Sequence, residues 1–220
     1  MPWLEQIKRL AITLGKIPEY SLNLDLPLTQ TLQCLTLEES TSSWILGRTF
    51  KALREFLVHR RSFVQEVLSG HEGLQVCLPA CTTLQLVNCS FDSLRFLSCP
   101  HVQILRWSQS SVETTFDLAA FNLLRDFLFN LSCLQKLYIS ISLHSGIDSL
   151  IRFFFCDARE QGVWRDIRSV EVVTWFSSSS EGSHFFNRAV SHQWLYQKRW
   201  KEFIVTKDNQ RGMMIVKASV

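Results

Sequence analysis

Residues 81–91 read CTTLQLVNCSF, with Cys81, Leu84, Leu86 and Cys89 at positions i, i+3, i+5 and i+8. Alone, the two cysteines suggest metal or redox chemistry. The spacing decides otherwise, because apolar-x-x-apolar-x-apolar recurs along the chain. Copies stand at Ile7-Leu10-Ile12, Leu32-Leu35-Leu37, Leu53-Phe56-Val58, Val102-Leu105-Trp107, Leu134-Leu137-Ile139, Ile167-Val170-Val172 and Trp200-Phe203-Val205. Successive starts are 25, 21, 28, 21, 32, 33 and 33 residues apart. In a chain that is 46% hydrophobic, about one position in ten starts such a triplet by chance. A single copy therefore decides nothing. The weight comes from the alternating, strand-like text that ends the segments, as in LQCLTLEES, LQKLYISIS and IRSVEVVTW, and from helical stripes between the later copies.

The pattern predicts strands near 7–13, 32–38, 53–59, 81–87, 102–108, 134–142, 167–175 and 200–206. Helical periodicity falls at 116–131 with Asp117 as N-cap, at 145–160 with Ser145 as cap, at 182–199, and more weakly at 62–70. FIVTKDNQRGMMIVKAS (203–219) reads as a hairpin turning at Gly212. Strand–helix units of this length predict one domain over 1–220, an irregular α/β solenoid of leucine-rich-repeat type. The alternative is a single α/β domain with a mixed sheet. Regular arrays place Asn or Cys at i+8. Here that position holds Gly15, Ser40, Arg61, Cys89, Ser110, Ser142, Trp175 and Asp208, so only Cys89 fits well.

The 220 residues carry a net charge of +3, a balance too mild to imply nucleic acid or acidic lipid as partner. The longest apolar stretch, around LIRFFFC, is far too short to span a bilayer. The charged start MPWLEQIKRLAITLGKIPEY has no signal-peptide core. Together with seven irregularly spaced cysteines, this predicts a cytoplasmic or nuclear setting with free thiols. Cys77, Cys81, Cys89 and Cys99 with His101 match no familiar zinc spacing, so core packing is the expected role of the cysteines. Cys156 sits among phenylalanines, where burial opposes the thiolate a nucleophile needs. His184 and His192 share one helical face without a carboxylate at ligand spacing. LGRTF (46–50) is no phosphate loop, and the basic stretch WLYQKRWKEF (194–203) reads as a solvated helix end. No cofactor, metal or catalytic group is predicted.

The blocks TLQCLTLEESTSSWILGRTFKALREFLVHR (31–60) and HEGLQVCLPACTTLQLVNCSFDSLRFLSCPHVQILRWS (71–108) resemble the leucine-rich-repeat-like region of basidiomycete F-box and F-box-like proteins. The resemblance covers roughly residues 30–140. It implies a substrate-recruiting module and cullin-adaptor ubiquitin ligase components as partners. No F-box itself is recognisable: LDLPLTQTL holds a Leu-Pro, but a repeat strand follows within five residues.

Side chains alternate along a strand, so i+3 and i+5 point inward while i+4 points outward. The outward row is Ala11, Thr36, Leu57, Gln85, Arg106, Tyr138, Glu171 and Ile204, flanked by Glu38, Glu55, His59, Lys136 and Glu202. Arg and Tyr dominate binding hot spots. The predicted partner-binding residues are therefore Arg106 and Tyr138, supported by Glu171, Gln85 and His59. The function expected is non-enzymatic recognition of a protein partner on the concave face of the sheet, to which the outward row belongs. A degenerate structural fragment and an unrecognised α/β enzyme stand as alternatives.

Overall fold

A computed structural model describes residues 6–13, 26–38, 45–59, 74–89, 91–109, 118–142, 152–157, 166–175, 179–191, 200–208, 210 and 212–220. The chain forms two compact units. One comprises Met1–Gln103 with Leu123–Leu131, the other Ile104–Asn122 with Ser132–Val220. The class is α/β with mixed strand pairing.

In the first unit, strands β1 (Arg9–Thr13), β2 (Cys34–Glu38), β3 (Glu55–His59) and β5 (Thr83–Val87) run parallel in that order. Each lies inside its predicted segment, and the triplets set the register. Leu35 is level with Phe56 and Phe56 with Leu84. The i, i+3 and i+5 side chains of the Leu32, Leu53 and Cys81 triplets are all buried. One backbone motif recurs at i+1: a single carbonyl accepts two amides of the next unit. Lys8 O takes Gln33 and Cys34 N, Gln33 O takes Arg54 and Glu55 N, and Arg54 O takes Thr82 and Thr83 N.

A second, short parallel ladder accompanies these strands. Thr49 bridges Cys77, and β4 (Val76–Cys77) pairs with β6 (Leu97–Ser98). Thr49, Cys77 and Ser98 each precede the first residue of the next long strand by six positions. The unit also holds helix α1 (Leu26–Thr31) and a 3₁₀ helix, Phe91–Phe96.

The second unit holds β7 (Ile104–Gln109), β8 (Lys136–Ser142), β9 (Ser169–Trp175), β10 (Glu202–Asp208) and β11 (Met213–Ser219). Here β7, β8 and β9 are parallel and keep the triplet register; β9–β11 and β11–β10 are antiparallel. The parallel stack does not continue through the Trp200 segment, because β10 returns as half of the predicted hairpin and β11 takes the place beside β9. Gly212 has φ 60, which a side chain would disfavour. The Asp208 carboxylate accepts the Gln210 amide, so this i+8 residue closes the hairpin turn.

Helix α2 (Leu118–Phe129) lies within the predicted 116–131 and α3 is Ser179–Ser191. The 145–160 stripe departs from expectation where it is described: Phe153–Asp157 is a π-helical turn. The caps Asp117 and Ser145, the 62–70 helix and residues 192–199 lie outside the described residues.

Candidate functional site

Cys81, Cys89 and Cys99 are buried. Asn88 adopts a left-handed φ of 53, which turns the chain so that the Cys89 thiol donates to Val58 O and Val87 O at 3.5 Å each. This is the backbone-satisfying role that the i+8 position calls for. Cys81 donates to Thr83 O at 3.3 Å. Among the described residues no group of three or more His, Cys, Asp or Glu could hold a metal ion.

Burial pushes the Cys81 thiol from 9.0 up to about 12, outweighing the backbone hydrogen bonds that favour the thiolate, and it raises Cys99 as well. The folded chain thus keeps a proton that the unfolded chain loses above pH 9. Stability is full below pH 9 and falls as pH climbs toward 12. From pH 8 to 10.5 the Cys81 contribution is a loss of about 2 kcal/mol. Urea unfolding at both pH values should show a shallower loss in Cys81→Ala, and equal losses in variant and parent would contradict this account.

The outward face of the second unit is built by register. Arg106 on β7 is level with Tyr138 on β8, Tyr138 with Glu171 on β9, Glu171 with Lys217 on β11, and Lys217 with Ile204 on β10. At about 4.8 Å per strand the row spans about 19 Å. Its members interact. The Arg106 guanidinium lies 4.9 Å from the Tyr138 ring centroid, a cation–π contact of about 0.5–1 kcal/mol at an exposed site. Lys217 Nζ meets Glu171 Oε2 at 3.1 Å, with both side chains partly exposed. Solvent screening limits this pair to at most about 1 kcal/mol.

Beside that row lies a more apolar one. Val173 faces Ile215, and next to them Trp175 faces Met213. The exposed Trp175 ring is fixed by its Nε1 donating to Ser140 Oγ at 3.2 Å. Arg, Tyr and Trp, the three side chains most enriched at hot spots, thus share one sheet face. A groove of about 200 Å³ opens on it, lined by Tyr138, Ser169, Glu171, Glu202, Ile204 and Lys217 among others.

Comparison of the chain with family models, curated proteins and solved structures gives no match.

Of the five predicted residues, Arg106, Tyr138 and Glu171 are brought into one row. Gln85 and His59 lie in the first unit on the outward side of β5 and β3, both half-buried, with Gln85 level with Leu57 and His59 level with Val87. Lys217, Ile215 and Met213 were missed because β11 was taken only as the second arm of a hairpin; its own triplet, Met213-Val216-Ala218, puts Lys217 at i+4. Trp175 ends the predicted strand 167–175 and is the last residue of β9, but it lies outside the i+4 row and its flanks, so it was not among the predicted binding residues. Its odd-numbered alternation with Glu171 and Val173 was the available signal.

Proposed function

We propose that the chain is a non-enzymatic recognition module of leucine-rich-repeat type that binds a protein partner on the outward face of its second unit. The row Arg106–Tyr138–Glu171–Lys217–Ile204, with Trp175 alongside, carries the proposal. It presents hot-spot side chains on a rigid ladder, already oriented by contacts with each other, which lowers the entropy lost on binding. The repeated two-amide carbonyl and the short ladder six residues upstream support the solenoid reading, since both repeat with the triplets. Among the described residues no helix is long and apolar enough to cross a membrane. The resemblance to F-box-like proteins extends the proposal to recruiting substrates for a cullin-type ubiquitin ligase, in the cytoplasm or nucleus.

Affinity capture from the source cells tests it. A specifically retained protein should bind Arg106→Ala/Tyr138→Ala at least tenfold more weakly, with Gln85→Ala in the first unit as a comparison. Undiminished retention by the double variant would remove the face from consideration.

A further inference from the structure

The groove on this face has an uneven charge distribution, and it identifies one feature of the partner. Glu171 and Glu202 stand on its walls with the hydroxyl-bearing Tyr138, Ser169 and Ser219, while Ile204 forms an apolar side that is 49% exposed. Among the described residues Lys217 is the only cation lining it, and it is already held by Glu171 at 3.1 Å. Glu202 accepts the Ser219 hydroxyl at 3.0 Å and meets no cation among the described residues. The groove therefore keeps one unbalanced carboxylate next to an uncovered aliphatic surface.

The opposite side of the face is cationic. Lys136 and Arg106 project from β8 and β7, and among the described residues neither meets a carboxylate; Arg106 instead covers the Tyr138 ring. Lys136, Ser169, Ser219 and Glu202 share one register row. Lys136 and Glu202 are thus three strands apart, about 14 Å. The face is electrostatically polar from β8 to β10, with the groove at its negative end.

We propose that the Glu171–Glu202 groove is the subsite for one arginine or lysine side chain of the bound polypeptide. The aliphatic stem packs along Ile204 and the Tyr138 edge, and the charged head reaches Glu202 and the hydroxyls of Ser169 and Ser219. Such a chain has the required dual character, an apolar stem and a cationic tip. An acidic side chain is disfavoured there by both carboxylates, and a purely apolar one would leave Glu202 facing it without water or a cation. An arginine offers planar donors that a carboxylate and flanking hydroxyls can share. This assignment rests on the recognition face proposed above and specifies what enters it.

The test uses Nα-acetyl-arginine methylamide as probe and the isosteric, uncharged Nα-acetyl-citrulline methylamide as reference. Each is titrated into the ¹⁵N-labelled full chain at low salt. The arginine probe should shift the amides of Ser169, Glu171, Glu202 and Ser219 and bind at least fivefold more tightly than the citrulline probe. Glu202→Gln should bring that ratio close to one, whereas Glu55→Gln, in the first unit, should leave it unchanged. Equal binding of the two probes, or an unchanged ratio in Glu202→Gln, overturns the subsite. The broader reading is judged separately: a captured partner that is lost with Arg106→Ala/Tyr138→Ala but indifferent to Glu202→Gln keeps the recognition face and rejects the basic subsite.

Discussion

Replacing Phe155 with alanine is expected to destabilise the chain by about 3–5 kcal/mol. Phe153, Phe154 and Phe155 are consecutive and all buried. An ordinary helix turn shows only part of its circumference to a core, so three consecutive buried rings require partners on several sides. The structure supplies them within the second unit. Phe153 meets the Phe121 ring edge-on at 5.4 Å. Phe155 meets Trp200 at 6.1 Å and Phe203 at 5.2 Å, both T-shaped. Trp200 Nε1 also donates to the Phe155 carbonyl at 2.9 Å. Phe203 lies in β10, so the alanine change opens a cavity between the π-helical turn and the C-terminal hairpin. The hydrogen bond survives, because it uses the backbone. Urea unfolding should show a lower midpoint with an unchanged m-value, and Phe155→Leu should cost less than Phe155→Ala. A cost below about 1 kcal/mol for the alanine variant would mean that the turn does not anchor the hairpin.

The same turn shows where sequence reading stopped. Ile147, Leu150, Ile151 and Phe154 make a plausible α-helical stripe, but periodicity cannot distinguish the wider π turn from an α turn. Strands were legible because each triplet combines two constraints, inward burial at i+3 and i+5 and a buried turn residue at i. Parallel pairing keeps one phase from strand to strand, so Arg106, Tyr138 and Glu171 could be aligned from i+4 alone. Lys217 could not, although it is the i+4 residue of its own triplet. β11 alternates like any other strand, and its place between β9 and β10 follows from hairpin closure at Asp208 and Gly212, not from a repeat. The ladder through Thr49, Cys77 and Ser98 was equally hidden, because one or two residues carry no period. The burial of Val205 is only partial although it occupies an i+5 position, since β10 has a ladder partner on one side only among the described residues.

Adjacent substitutions in the opening stretch should separate stability from recognition most sharply. Leu84 is fully buried and level with Phe56 on β3, so Leu84→Ala leaves a cavity inside a parallel ladder whose neighbours are fixed by their own register. The expected cost is about 2–5 kcal/mol. Gln85, one residue on, points to the opposite side of the sheet and is half-buried. Gln85→Ala removes no core contact and should change stability by no more than about 0.5 kcal/mol. Thermal or urea unfolding of the two variants side by side measures the contrast. Comparable losses would contradict the alternation that assigns every even residue of β7 and β8, and every odd residue of β3, β5 and β9, to the outward face. A large contrast means that the inward triplets hold the fold while the outward row is free to vary for binding, so that Arg106, Tyr138 and Trp175 can be replaced and their losses read as losses of contact rather than of structure.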